Sequence, residues 1–87
     1  MSRYTVRTRG SAGREYERLD GETQRRVLAA LEALASDPRP PGMKLLAGKW
    51  RGWYRVRVGD LRVVCDIDDA QALVNVVRIR PRGQAYK

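Results

Sequence analysis

The sequence predicts an α+β fold: an N-terminal strand, an αα-hairpin, then a three-stranded antiparallel meander, with the helices packed on one face of a four-stranded sheet. Three observations predict it. Residues 53–67 alternate apolar and polar side chains on both sides of Gly59-Asp60, a Gly-first dipeptide suited to a tight hairpin turn. Residues 27–35 repeat apolar side chains at helical spacing. Residues 72–80 form a second Val-rich alternating run after Asp68-Asp69-Ala70-Gln71. A chain of 87 residues reads as one domain, 1–87, near the small end of what folds on a single core.

Taken in order, Arg3 to Arg9 alternates Tyr4, Val6 and Thr8 with Thr5, Arg7 and Arg9, as a half-buried strand does. Gly10 breaks it, and Ser11 is the expected N-cap of a short helix carrying Tyr16 and Leu19. Asp20 is a second expected N-cap, with Glu22 in a first turn whose dipole favours negative charge. The helix that follows sets Val27, Leu28, Leu31, Leu34 and Ala35 on one core-facing stripe. Pro38 ends it, because the residue before proline is pushed out of helical geometry. Residues 38–42 are a loop within the domain. Between Met43 and Trp53, Leu45 and Leu46 anchor the chain and Gly48 and Gly52 mark turns.

In the central hairpin, a loop at Gly59-Asp60 puts Val58 opposite Leu61, Arg57 opposite Arg62, and Val56 opposite Val63. The apolar members share one face, and Arg55, Arg57 and Arg62 share the other. Like charges directly opposite on a sheet repel, so this face suits an external anion. For the last strand, a three-residue loop pairs Asp68 with Ala72 and Arg62 with Arg78. That register keeps arginine out of the core, sends Leu73, Val77 and Ile79 to the helix side with Asn75, and leaves Val64, Val74 and Val76 on the open side. A row of Arg57, Arg62 and Arg78, with Arg55 beside it and an apolar strip alongside, is a candidate binding surface.

Eighteen Lys and Arg against ten Asp and Glu give a net charge of +8, the balance of a protein that meets nucleic acid or an acidic partner. Residues 1–49 hold ten bases and six acids and residues 50–87 hold eight and four, so the basicity belongs to the body and not to a tail. Histidine is absent and Cys65 is alone, which removes His-based nucleophile systems and most zinc sites; no metal and no cofactor are expected. A lone cysteine in an apolar strand fits a reducing compartment, and no apolar run approaches membrane length, so a cytoplasmic location is expected. Trp50 and Trp53 are read as packing residues more than as base-stacking ones.

The residues Gly52-Trp53-Tyr54-Arg55-Val56-Arg57-Val58-Gly59-Asp60-Leu61-Arg62-Val63, the Asp-rich turn, the Val-rich strand and a terminal Arg82…Tyr86 resemble the pattern of RelE-type toxins of toxin–antitoxin pairs. The resemblance covers nearly the whole chain. It implies a small ribonuclease that enters the ribosomal A site and cuts mRNA without a metal, by attack of a ribose 2′-OH on the adjacent phosphate. It further implies a cognate antitoxin, acidic and wrapped over the open face in a hetero-oligomer. By resemblance Arg55, Arg57, Arg62, Arg82 and Tyr86 are the catalytic set. Lys44, Lys49 and Arg78 are candidate phosphate contacts from their placement near it. The sequence departs from the pattern at Leu61 and Cys65, where tyrosines are usual, and at Arg80-Pro81, which replaces a Gly-His or Gly-Lys. Two other readings stand beside this one: a ParE-like gyrase inhibitor, and a non-catalytic nucleic-acid- or antitoxin-binding module.

Overall fold

The structure, a computed structural model, describes residues 3–81. Strand β1 (Thr5–Thr8) leads into helices α1 (Ala12–Glu17) and α2 (Gly21–Ser36). A two-residue strand β2 (Lys44–Leu45) and a 3-10 turn (Gly48–Trp50) precede β3 (Tyr54–Val58), β4 (Leu61–Asp68) and β5 (Leu73–Pro81). The strands make one sheet in the order β1-β5-β4-β3-β2, parallel between β1 and β5 and antiparallel elsewhere. The α+β class stands as expected. The sheet has five strands among the described residues, one more than expected, because Lys44 pairs with Arg55 and Leu45 with Tyr54. A strand of two residues has too few positions to show a period of two, so its pairing is set by the partner strand.

Helix α2 begins as its sequence dictates. Asp20 has extended dihedrals and its carboxylate accepts the Thr23 backbone N–H at 3.2 Å; hydrogen bonding to the Thr23 side chain first, and to its backbone second, lowers the Asp20 pKa. Ser11 is different: it precedes α1 with helical dihedrals and makes no side-chain cap, since capping needs an extended residue at that position. Val27, Leu31, Leu34 and Ala35 are buried as expected, but Leu28 is 47% exposed. Its position, one residue on from Val27, is rotated about 100° round the helix and lies at the margin of the stripe, along a groove shared with Val6 and Thr8 of β1. α2 ends at Ser36, with Pro38 two residues on.

The core lies between the helices and one face of the sheet. Val27, Leu31 and Leu34 pack with Val63, Cys65, Val74, Val76 and Ile79, most of them fully buried. Burial pushes the Cys65 thiol up to about 12, so it stays protonated and inert.

The β3–β4 hairpin has the expected register: Val58 faces Leu61, Arg57 faces Arg62 and Val56 faces Val63. Gly59 takes φ +59°, the left-handed value this two-residue turn requires of its first residue. The β4–β5 register departs from expectation twice. The loop has four residues, 69–72, so Asp68 pairs with Leu73. Asp68 accepts the Gln71 N–H at 3.1 Å, and Ala72 enters the left-handed region at φ +52°, a conformation its sequence does not advertise. Then Cys65 pairs with Val76 but Val64 with Arg78, leaving Val77 as an extra residue, a β-bulge.

The bulge changes which side chains face the helices. Val74, Val76 and Ile79 all reach the core, a combination no uniform alternation allows. Val74 and Val76 are therefore not on the open face, and Leu73 and Val77 are not in the helix-side core. Asn75 leaves the helix side and accepts Arg7 Nε at 3.2 Å, the residue beside it on β1.

Candidate nucleic-acid interface

Strand parity assigns the face turned away from the helices. Since Val56, Val58, Leu61 and Val63 belong with the helix-side core, Arg55, Arg57, Arg62 and Val64 project from the other face. There the register aligns Arg57, Arg62 and Arg80 across three neighbouring strands. One step along, Arg55 lies between Val64 and Lys44, the latter brought in by β2. The row expected to end in Arg78 ends in Arg80 instead, because the longer loop and the bulge together move β5 by two residues. Arg57 and Lys44 are exposed; Arg55, Arg62, Arg78 and Arg80 are half-buried.

The apolar part of this face is smaller than expected and is covered. Val64 is fully buried and Val77 nearly so, with Leu46 and Trp53 packed over them. Trp53 follows from β2: the Leu46 N–H donates to the Trp53 carbonyl at 2.8 Å, which puts both residues on the same side. Trp50 leans against Trp53 with ring centroids 5.4 Å apart, so the two indoles form a packed pair at the edge of the cationic row. Lys49 is exposed on the 3-10 turn, outside the paired rows.

Arg78 and Arg80 share one carboxylate. Glu15, on α1, accepts the Arg78 Nε at 3.2 Å and lies 3.6 Å from the Arg80 Nε. Its other oxygen accepts the Ile79 backbone N–H at 2.7 Å, past the point where β1 stops pairing with β5. Arg82 and Tyr86 lie outside the described residues. The sequence reading missed Arg80, Glu15 and the pairing of Lys44 with Arg55. A signal for the first was present: every uniform alternation of β5 buries either Asn75 or the arginines, and a bulge is the way a strand escapes that choice.

A second polar cluster lies toward the other end of the sheet. Asp69 receives Arg39 in bidentate fashion at 3.0 and 2.9 Å and the Tyr4 hydroxyl at 2.6 Å. Arg39 also donates to the Tyr54 hydroxyl at 3.3 Å and stacks over that ring at 5.1 Å. The Arg39 and Tyr4 hydrogen bonds hold the Asp69 carboxyl at about 2, and the same contact with Asp69 raises the Tyr4 hydroxyl. Every member is engaged by another, so the cluster acts as a strap between the Pro-rich loop and the β4–β5 turn. Tyr54, within the family-like motif, is part of this strap.

Chemically, guanidinium groups from adjacent strands can fork onto phosphate oxygens and stabilise a developing negative charge. They cannot act as bases, since arginine stays protonated through the accessible pH range. Among the described residues no group of His, Cys, Asp and Glu is placed to hold a metal ion, and no helix is long and apolar enough to cross a membrane.

The structure is similar to the toxin of the RelBE2 toxin–antitoxin complex from Mycobacterium tuberculosis, with a TM-score of 0.83, 28% identity and 97% of each chain covered. It is similar also to the archaeal RelE–RelB complex from Pyrococcus horikoshii, with a TM-score of 0.81 and 26% identity over 98% of this chain and 100% of that one. The isolated RelE toxin of E. coli, at 18% identity, shares the fold with a TM-score of 0.78 over 94% of this chain and 87% of that chain. A comparison with curated protein sequences finds no match. Residues 6–86 match the family described as the ParE toxin of type II toxin–antitoxin system, parDE. The chain belongs to that family, within the RelE/ParE superfamily, and is a RelE-type toxin of a type II toxin–antitoxin system.

Proposed function

We propose that this toxin is a ribosome-dependent mRNA endonuclease that stops translation by cutting the message at the cationic sheet face. The observation that carries the reading is the alignment of Arg57, Arg62 and Arg80 across three strands, with Arg55 and Lys44 beside them, on the face the helices leave open. Cationic side chains gathered on neighbouring strands of an open face suit an anionic ligand such as phosphate. Two structural relatives above 25% identity, the RelBE2 complex and the archaeal RelE–RelB complex, carry RelE-type toxins by name, which supports the same reading.

In this mechanism a ribose 2′-oxygen attacks the adjacent phosphorus in line. The 2′-hydroxyl gives up its proton as the O2′–P bond forms, the P–O5′ bond breaks, and the leaving 5′-oxygen takes up a proton, so the ends left are a 2′,3′-cyclic phosphate and a 5′-hydroxyl. Arg55, Arg57 and Arg62 stabilise the charge on the phosphorane. Arg82 and Tyr86 complete the set by family resemblance, and Tyr86 is the one member able to exchange a proton at accessible pH. Lys44, Lys49 and Arg78 contact flanking phosphates. No step uses a metal or a cofactor. An acidic antitoxin covers the open face and keeps RNA away from it in a toxin–antitoxin hetero-oligomer, and the toxin acts in the cytoplasm.

The test is primer extension on translating ribosomes with purified toxin, run beside a gyrase supercoiling assay. Codon-bounded cuts that disappear in Arg62→Ala and Arg82→Ala are the expected result. Inhibition of supercoiling with intact mRNA would contradict it and establish the second reading, a gyrase inhibitor, which the family's description as ParE toxins favours.

A further inference from the structure

We propose that the message strand held at Arg55 and Arg57 leaves the sheet over its β2 edge and runs along the 47–52 turn, where Lys49 and Arg51 contact its backbone. The inference rests on the reading that the cationic face binds nucleic-acid phosphate.

An uneven balance of charge across the sheet carries it. Residues 38–59, which include β2, the 3-10 turn and β3, hold six bases and no acid. One of the six, Arg39, meets a carboxylate, that of Asp69 at 2.9 Å. Among the described residues, Lys44, Lys49, Arg51, Arg55 and Arg57 have no carboxylate within ion-pair range. Toward β1 the balance reverses. Arg78 and Arg80 lie 3.2 and 3.6 Å from Glu15, and Arg9, just past β1, lies 3.9 Å from Asp66. Arg7 donates to the Asn75 side-chain oxygen at 3.2 Å. Asp66 and Asp68 alternate with Cys65 and Ile67 of the core side, so both belong to the open face. The β1 side therefore offers mixed charge, and the β2 side offers charge of one sign. A polyanion is drawn along the second.

The backbone makes that path continuous. Arg55 and Arg57 are two residues apart on β3, hence on one face and about 7 Å apart. Lys44 is directly paired with Arg55, so its side chain leaves the ladder on the same face. Next along β3 comes Trp53, packed over Val64 and Val77, with the Trp50 ring 5.4 Å from it. The turn between β2 and β3 is closed by its own backbone. The Trp50 N–H donates to the Ala47 carbonyl at 3.3 Å, the Arg51 N–H to the Gly48 carbonyl at 3.1 Å, and the Trp53 N–H to the Trp50 carbonyl at 3.2 Å. Lys49 and Arg51 are exposed on either side of Trp50, on a turn that the indole pair holds against the open face.

Single-stranded RNA fits this edge better than a protein segment does. Val64 and Val77 are already covered by Leu46 and Trp53. The exposed Leu45 is paired with Tyr54 and projects from the other face. A protein partner draws most of its binding energy from a few buried apolar or aromatic anchors. A polynucleotide draws it from cations spaced along its backbone, which this edge supplies.

The experiment measures binding of the full-length toxin to a single-stranded RNA oligonucleotide across a salt series. Two charge-matched pairs are compared, Lys49→Ala/Arg51→Ala and Arg7→Ala/Arg9→Ala, with Arg57→Ala beside them. The first pair should lower the salt slope by about 1.4, two phosphate contacts on a single strand, and the second by almost nothing. Equal losses, or a larger loss from the Arg7 and Arg9 pair, overturn the inference. If Arg57→Ala changes neither affinity nor slope, the phosphate-face reading fails and the path with it. If Arg57→Ala lowers both while the Lys49 and Arg51 pair changes nothing, the path alone is wrong. Losses seen with duplex RNA but not with the single strand would assign the turn to folded RNA and overturn the message path. An unchanged RNA slope with weakened antitoxin binding would assign it to the protein partner, with the same consequence. Should the Arg7 and Arg9 pair unfold, the wild-type protein decides. RNA should protect Lys49 from an amine-acetylating ester and Arg51 from phenylglyoxal while leaving Arg7 and Arg9 reactive, and equal protection of all four would refute the path.

Discussion

The two faces of this sheet are built on opposite principles. Toward the helices, Val63, Cys65, Val74, Val76 and Ile79 meet Val27, Leu31 and Leu34, and among the described residues none of the buried ones is charged. On the other face, the same strands carry Arg57, Arg62 and Arg80 in register, and the covered apolar area shrinks to Val64 and Val77 beneath Leu46 and Trp53. One face is optimised for the fold. The other gathers cations on adjacent strands, so strand parity separates the residues that build the core from those of the proposed binding face.

Substitutions can break that separation if it is false. The largest expected effect is at Leu34, which is 1% exposed at the centre of the helix-side core. Leu34→Ala should destabilise the protein by about 2–5 kcal/mol through lost burial and a residual cavity. Urea denaturation checks this, and a loss below the lower figure would mean the site collapses to fill the space. The residual folded protein should keep its RNA affinity.

Next is the open face. Arg62→Ala should lower mRNA cleavage on ribosomes on the order of 10²-fold, as for removal of one group that stabilises transition-state charge. The protein should remain folded, since Arg62 lies outside the helix-side core. Loss of cleavage matched by loss of folding would show that the two faces are not independent.

The smallest effect belongs to the strap around Asp69. Its carboxyl, held at about 2 against an ordinary 3.8, favours the folded state when ionised. The folded pKa is depressed, so the contribution is complete above 3.8 and is lost as pH falls from there toward about 2. Thermal unfolding followed through that window should show a drop that Asp69→Asn removes. The pair is exposed, so the change is modest. An Asp69→Asn protein with an unaltered acid profile would assign the drop to other carboxylates.

Legibility in the sequence followed the range of the interaction. The β3–β4 hairpin was readable because Gly59 declares a positive φ and a two-residue turn leaves one register. The α2 cap was readable because Asp20 acts on Thr23, three residues away. The β4–β5 register was not, since Ala72 adopts a left-handed conformation that alanine does not signal and Val77 bulges between two ordinary valines. The price of the uniform register, a core-facing Asn75, was visible and marked the fault. Glu15 was out of reach altogether: its partners lie 63 and 64 residues along the chain, and nothing local in α1 marks it. The cationic face was therefore legible as far as Arg55, Arg57 and Arg62, while its outer strand needed coordinates.

The most direct measurement compares two charge-matched pairs. Arg57→Ala/Arg62→Ala removes two charges from the open face, and Arg25→Ala/Arg26→Ala removes two exposed charges from α2. Binding to a single-stranded RNA across a salt series should lose about 1.4 in slope for the first pair, two phosphate contacts, and almost nothing for the second. Equal losses for both pairs would mean that RNA responds to net charge alone, and the sheet face would have no special claim on phosphate.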